Sequence, residues 1–263
     1  MHEHAAKRTK DGKSLWLLHI TDNHLFADRS EGRHGVNSVD SLQRVLASAT
    51  KTRQPDLVVD TGDIAHDRTR EVYEMFLSMV REFVDCPMIA TPGNHDLNKP
   101  FDEVLSRDSI TMNGWQIISV DTHRDDVLNG MVSEEELNRL RGELEANTSP
   151  TLIVGHHPAS EIGCAWIDGH RIENDVEFLQ QLSHYPHVKG YLSGHVHQAY
   201  DGHANGLKLM TTPSTCWQFK SESAEFAVDE LPSGWRWLEL LGDGQIKTQV
   251  ARLGVSEIRR NRL

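Results

Sequence analysis

The sequence predicts an α/β fold of two packed β-sheets flanked by helices, within a single domain. Three observations carry that expectation. Over the first two-thirds of the 263 residues, apolar runs of strand length alternate with segments whose apolar residues recur at helical spacing. In the last third the helical period gives way to short apolar runs. Asn205-Gly206 and Asp243-Gly244, dipeptides that favour tight hairpins, separate them in pairs. No linker, repeat or low-complexity block divides the chain, and 38% hydrophobic residues are enough for a core.

In chain order, Leu15 to Thr21 is the first strand. Val39, Leu42, Val45, Leu46 and Ala49 then make Asn37 to Arg53 an amphipathic helix, which Pro55 ends. Leu57 to Thr61 is the second strand, and Tyr73, Phe76, Leu77, Val80 and Phe83 mark a second helix lying on the sheet. Cys86 to Ala90 is the third strand, stopped by Pro92 and Gly93. After a loop containing Pro100, Asn113-Gly114 forms a hairpin turn into the strand Trp115 to Val120. Ser133-Glu134-Glu135-Glu136 is a capping box for a helix carrying Leu137, Leu140 and Leu144. Thr151 to Val154 is a strand. Gly163 to Asn174 has no clear period, contains Trp166, and is expected as a surface loop or small lid. A helix over Asp175 to Ser183 leads to the strand Val188 to Ser193. Gln198 to His203, Leu207 to Thr211, Trp235 to Leu241 and Ile246 to Val250 are expected as antiparallel strands. Residues 1–13 are polar and lack the apolar stretch of a secretory signal, so they are expected as a disordered arm. The domain proper is expected over 14–252, and 253–263 forms a basic tail with no assigned role.

The formal net charge is −12, which opposes loose nucleic-acid binding through a basic surface. An anionic small substrate is still compatible with it, provided that bound cations reverse the field locally. No apolar run reaches the ~18 residues of a membrane span. Cys86, Cys164 and Cys216 form no C-x-x-C pair and fit reduced thiols of a cytoplasmic protein, with no disulfide framework.

Histidine is the outlier, at 16 residues. Five apolar strands each end in potential metal ligands. They lead into Asp22-Asn23-His24, Gly62-Asp63, Gly93-Asn94-His95-Asp96, Gly155-His156-His157 and Gly194-His195-Val196-His197. A lone histidine is usually a hydrogen-bonded core or surface group, so His2, His4, His34, His123, His170, His184, His187 and His203 are left without a role. Five such sites after five strands are a different matter, and together they predict one polynuclear metal site. Three oxygen donors (Asp22, Asp63, Asn94) and four imidazoles (His24, His156, His195, His197), without thiolate, suit Mn, Fe, Co or Zn. Seven ligands are too many for one ion and fit two that share a carboxylate. Ions ~3.5–4 Å apart can clamp a phosphoryl group for in-line displacement.

In this order the motifs D-x-H, G-D, G-N-H-D, G-H-H and G-H-x-H resemble those of the calcineurin-like metallophosphoesterases, from about Leu15 to Val250. Further features resemble the bacterial class III 3′,5′-cyclic-AMP phosphodiesterases. These are Asp22-Asn23-His24-Leu25-Phe26 followed by Gly35-Val36-Asn37, Pro213-Ser214-Thr215-Cys216 with Gln218-Phe219, and the strand Gly234-Trp235-Arg236. The resemblance implies a four-layer αββα sandwich of two mixed sheets. It implies a first metal on Asp22, His24, Asp63 and His197, and a second on Asp63, Asn94, His156 and His195, with Asp63 bridging. His95 would be the leaving-group acid, and His24, Asn94, His95 and His197 would also face the substrate. The implied reaction is hydrolysis of 3′,5′-cyclic AMP to 5′-AMP by in-line attack of a hydroxide bridging two metal ions, with iron or manganese ahead of cobalt or zinc. The charge and hydropathy lead to the expectation of no nucleic-acid or membrane partner, and the sequence leaves monomer or homodimer open.

Asn23 departs from the Ser or Thr commoner at its position, and its side chain is expected to point away from the metals. His157 is not expected as a ligand, because the pattern uses the first histidine of the pair. His66, three residues after Asp63, is a candidate for the substrate side, and Cys216 is expected to pack rather than react. Serine/threonine phosphatases read G-D-x-x-D-R-G and G-N-H-E, unlike Gly62 to Thr69 and Asp96 here. Nucleases of the superfamily need a basic groove, and its non-catalytic scaffolds lack ligands that are all present here. The rival reading is a broad-specificity diesterase acting on 2′,3′-cyclic nucleotides or glycerophosphodiesters.

Overall fold

The computed structural model describes residues 14–254. The arm expected over 1–13 and the tail beyond Gly254 lie outside them. The chain opens with β1 (Leu15–Ile20), a small hairpin of β2 (Gly32–Arg33) and β3 (Val36–Asn37), and α1 (Ser38–Thr52). It continues through β4 (Leu57–Asp60), α2 (Arg70–Phe83), β5 (Met88–Ala90), α3 (Asn98–Asp102), β6 (Ile110–Met112) and β7 (Trp115–Ser119). Next come α4 (Glu134–Ala146), β8 (Thr151–Val154), α5 (Ala165–Asp168), α6 (Asp175–Ser183) and β9 (Val188–Ser193). The last part comprises β10 (Tyr200–Ala204), β11 (Leu207–Thr211), β12 (Gln218–Phe219), β13 (Val228–Asp229), β14 (Gly234–Leu240) and β15 (Ile246–Arg252).

Two mixed sheets result. One has the order β15-β14-β1-β4-β5, the other β10-β11-β9-β8-β7-β6. β1, β4 and β5 are mutually parallel, as are β7, β8, β9 and β11. Their strands are apolar on both faces, and the period-2 alternation of side chains sorts those faces into three cores. Leu15, Leu17, Leu57, Val59, Leu152, Val154, Leu192 and Leu238 meet between the sheets. The alternate residues of the first sheet, Leu18, Ile20 and Val58, pack under Val39, Leu42, Val45 and Leu46 of α1 and Tyr73, Phe76 and Val80 of α2. Ile118, Ile153 and Tyr191 of the second sheet pack under Leu137, Leu140 and Leu144 of α4 and Phe178 and Leu182 of α6. The layers are therefore helix, sheet, sheet, helix, as the motif resemblance implied.

The structure departs from the sequence reading in its details. The four late strands pair as the two expected antiparallel hairpins, but the hairpins enter different sheets. β10 and β11 form a hairpin, but β11 joins the second sheet parallel to β9, while β14 and β15 complete the first sheet antiparallel to β1. Hairpin chemistry fixes neighbours in sequence, whereas burial of both strand faces decides which sheet receives them. The loop around Pro100 contains the short α3, with Pro100 in the first turn, where its missing N–H costs no helical bond. The capping box of α4 is half formed. Ser133 Oγ accepts from the Glu136 N–H at 3.1 Å, but the Glu136 carboxylate accepts from the Asp121 N–H and from Arg139 instead of the Ser133 N–H. The expected lid segment holds α5, anchored by buried Cys164 and Ile167 against Val196.

Candidate metal centre

All seven ligand candidates stand at the C-terminal ends of parallel strands, where an α/β sheet gathers functional loops. β1 delivers Asp22 and His24, β4 delivers Asp63 and β5 delivers Asn94; across the sandwich β8 delivers His156, and β9 delivers His195 and His197. Each of the seven is buried. Five of them hold left-handed backbone: Asp22 (φ 55°), His24 (47°), Asp63 (53°), His195 (68°) and His197 (49°). Such conformations cost non-glycine residues energy and persist only where surrounding bonds hold them. Here the Asp22 N–H donates to Gly62 O at 2.9 Å, the His24 N–H to Asp63 O at 2.9 Å and the Leu25 N–H to Ile64 O at 2.8 Å.

Two glycines make room for this packing. A Cβ at Gly93 would collide with the Asp63 carboxylate and backbone N, and with the His156 ring. One at Gly194 would collide with Thr21 Oγ1 and meet the Asp22 carboxylate.

The donor atoms fall into two groups that meet at Asp63. In the first, His24 Nε2 and His197 Nε2 face each other at 3.2 Å, Asp22 Oδ1 lies 3.4 Å from His197 Nε2, and Asp63 Oδ2 lies 3.8 Å from His24 Nε2. In the second, His156 Nε2 lies 3.1 Å from Asn94 Oδ1, 3.2 Å from His195 Nδ1 and 3.5 Å from Asp63 Oδ1. Donors bound at ~2.0–2.2 Å to a shared ion stand roughly 3.0–3.5 Å apart, and all but the His24–Asp63 separation meet that spacing. Two imidazole nitrogens aimed at each other in both groups also fit cations, because at most one of each pair can donate to the other. The mixed nitrogen and oxygen set, free of thiolate, suits borderline first-row ions.

The surroundings hold the ligands in states that accept a metal. The His156 Nδ1–H donates to Thr61 O at 2.6 Å and the His197 Nδ1–H to Trp217 O at 2.8 Å, which leaves each Nε2 as the ligating atom. Burial pushes the His24 and His195 imidazoles well below the ordinary histidine range, toward their neutral forms. Burial works to raise the Asp63 carboxyl as well, but His156, His95, His24 and His195 around it together hold it well below the usual carboxylate range.

His95 and His66 border the first group. His95 is half-buried, its N–H donates to Asp63 Oδ1 at 2.7 Å, and its ring meets the His24 ring edge-on at 4.9 Å. Among the described residues its ring nitrogens bond to no protein group. His66 stacks on His95 with ring centres 5.6 Å apart and meets Phe26 at a tilt at 4.3 Å, so it sits beside His95. His157 is buried next to His156, yet both its ring nitrogens are committed, to Thr122 Oγ1 at 2.8 Å and to Leu128 O at 3.1 Å. Asn23 points away from the donors, its amide donating to Asp60 Oδ2 at 2.7 Å and its carbonyl accepting from Thr215 Oγ1 at 2.8 Å. Cys216 packs against Ser38, and burial pushes its thiol up to about 11.

Several supports were not legible in the sequence. The Asp96 carboxylate accepts from the backbone of Gly93 (2.8 Å) and Ala65 (3.0 Å) and from Tyr73 Oη (3.0 Å), so it ties the Asn94 turn to the Asp63 turn. Burial, with negative Asp63 nearby, raises it to about 6. Trp217 stacks on His24 with ring centres 4.5 Å apart, and Phe219 on His197 at 4.2 Å. Asp96 lay inside a motif whose metal ligands drew the attention, while the two aromatic rings sit in a segment with no periodic pattern. A cavity of about 490 Å³ shares His34 and Trp217 with this region but contains none of the seven ligands, so it is not the metal centre.

The chain matches known proteins along most of its length. The family model of calcineurin-like phosphoesterases matches residues 15–199. The 3′,5′-cyclic adenosine monophosphate phosphodiesterase CpdA of Escherichia coli (strain K12) is 39% identical, over 90% of this chain and 89% of that protein. The 3′,5′-cyclic-nucleotide phosphodiesterase alr5338 of Nostoc sp. is 33% identical, over 91% and 93% respectively. Among solved structures, a dimetal phosphatase from Danio rerio superposes with a TM-score of 0.62 at 17% identity, covering 89% of this chain and 98% of that one. That last likeness concerns the fold alone. With the family model spanning residues 15–199 and the donors converging on two points, the chain belongs to the calcineurin-like phosphoesterase family.

Proposed function

We propose that the protein is a metal-dependent phosphodiesterase that hydrolyses 3′,5′-cyclic AMP to 5′-AMP. The observation that carries this reading is the pair of donor groups joined at Asp63 with His95 beside them, in a chain whose relatives are named cyclic-nucleotide phosphodiesterases. Asp22, His24, Asp63 and His197 would hold one ion, and Asp63, Asn94, His156 and His195 the other; the donor set suits Mn, Fe, Co or Zn, of which we place iron and manganese first. When bound, the two ions neutralise the phosphoryl oxygens and supply a nucleophile at neutral pH. The protein does the rest. Trp217, Thr61 and the left-handed turns fix the imidazoles, so little reorganisation is needed as charge develops. His95 meets His24 edge-on and stands at the half-open side of the site, where it protonates the departing 3′-oxygen.

The test is kcat/KM for 3′,5′-cyclic AMP, 3′,5′-cyclic GMP, 2′,3′-cyclic AMP and bis(p-nitrophenyl) phosphate on one metal-loaded preparation. Cyclic AMP is expected to lead and to give 5′-AMP, and activity is expected to vanish with chelator and return with manganese or iron. Chelator-resistant turnover or a 3′-AMP product would overturn the reading. A lead for the 2′,3′-cyclic substrate would favour the broad-specificity alternative.

A further inference from the structure

A wall of aromatic rings runs outward from the metal centre and takes no part in holding the metals. It begins where Trp217 stacks on His24 and Phe219 on His197, with interplanar angles of 24° and 21°. Trp166 of α5 then meets Phe219 edge-on at 4.9 Å, and Phe226 packs on both Trp166 (5.3 Å) and Phe219 (5.6 Å). His34, from the β2–β3 hairpin, closes the far side against Trp217 at 5.2 Å and Phe226 at 5.9 Å. Exposure rises along this path. Trp217 is buried, Phe219 and Trp166 are half-buried, and Phe226 is 56% exposed, exceeded only by Val176 among the large apolar side chains of the described residues.

Four separate segments contribute to this wall, so it is no accident of one loop. A phosphodiester group gives such a wall nothing to recognise, since its charge is met by the metal site. What the wall fits is a flat, neutral, polarisable group tethered a short way from the phosphate. Aromatic side chains beside a phosphate site bind nucleobases in this manner, through π-stacking that tolerates any base edge.

Resting on the cyclic-nucleotide reading above, we infer that Phe226 and Trp166 form the subsite that stacks the purine base of the substrate. The two residues set affinity for the nucleoside and leave the reacting phosphorus to the metal centre. The wall starts on the same His24 ring that meets His95 edge-on, so a base held here keeps the ribose 3′-oxygen near the proton donor.

The experiment compares 3′,5′-cyclic AMP with methyl ribofuranoside 3′,5′-cyclic phosphate, which keeps the cyclic diester and lacks the base. Metal-loaded wild type, Phe226→Ala, Trp166→Ala and Phe226→Trp are assayed, with thermal unfolding as a check on folding. Each alanine variant is expected to raise KM for cyclic AMP by about tenfold or more. The preference over the base-free substrate should collapse accordingly, and Phe226→Trp should restore it. A preference that survives both alanine substitutions overturns the inference, as does an equal loss on the two substrates. Should wild type hydrolyse the base-free diester but not cyclic AMP, the cyclic-nucleotide reading fails and the subsite fails with it. Turnover of cyclic AMP with unmoved KM in the variants sinks the subsite alone.

Discussion

At the scale of single residues, the site separates side chains whose donor atoms converge on one another from His95, which only borders them. His95 contributes a backbone N–H to Asp63 and a ring edge to His24, and no donor of either group is lost with its side chain. His95→Ala should therefore retain both ions by elemental analysis and still lose activity. The loss should be about 3–5 kcal/mol of transition-state stabilisation on cyclic AMP, the usual range for a general acid. It should be much smaller on bis(p-nitrophenyl) phosphate, because p-nitrophenolate departs without a proton. Asp63→Ala should behave differently. Asp63 meets both donor groups, so metal content should fall well short of two ions per chain and both substrates should suffer alike. Equal losses on the two substrates in His95→Ala at full metal content would mean that His95 positions the phosphate, and His66, stacked on it at 5.6 Å, would be the next acid to test.

At the scale of elements, the strand ends matter more than the strands. The turn after β5 carries Gly93 against the Asp63 carboxylate and the His156 ring, with Asp96 tying it to the turn after β4. A methyl group at Gly93 has no space that a flexible side chain could yield, since the Asp63 backbone N stands in its way. Gly93→Ala should accordingly displace Asn94 and Asp63 together. We expect loss of bound metal in both groups and destabilisation of about 1–3 kcal/mol in urea, the scale of an overpacked core site. The companion measurement is elemental analysis of the refolded variant. Full metal content with a wild-type urea midpoint would show that the turn is looser than its packing indicates.

At the scale of the whole molecule, the candidate metal ligands are drawn from both sheets, so metals bound there would bolt the sheets together. Asp22, His24, Asp63 and Asn94 come from the first sheet, and His156, His195 and His197 from the second. Below them Leu17, Val59, Leu152 and Leu192 fill the space between the sheets with side chains from both. Anything that binds the folded chain and not the unfolded one stabilises it in proportion to the logarithm of its excess over Kd. Chelation should thus lower the melting temperature, and manganese or iron should restore it, whether or not any substrate is present. At 100-fold excess over Kd the linkage amounts to about 2.7 kcal/mol. Calorimetry with and without chelator measures it, and unchanged melting would mean that the ligands do not join the sheets through metal.

How much of this could be read from the chain alone depended on how local the signal was. The five strand-end motifs, the apolar runs before them and the helices of 3.6-residue period are written in consecutive residues. They were enough to name Asp22, His24, Asp63, Asn94, His95, His156, His195 and His197 and the layered α/β plan. Asn113-Gly114 and Asn205-Gly206 likewise placed their hairpins, because left-handed backbone at Asn and Gly is a local preference. Other features needed residues far apart in sequence to meet. Glu136 left its capping role because a neighbouring strand end offered the Asp121 N–H and Arg139 lay within reach on its own helix. β14 joined β1 rather than β11 because the first sheet had an edge to fill and an apolar face to cover. Asp96 as a tie between two turns and Trp217 behind His24 have no periodic trace at all. The sequence by itself determined which groups are offered for the chemistry, since ligand type and spacing at strand ends are local. Tertiary structure alone decided what holds those groups still and what lines the way to them, because burial and stacking are settled only when separate segments compete for the same space.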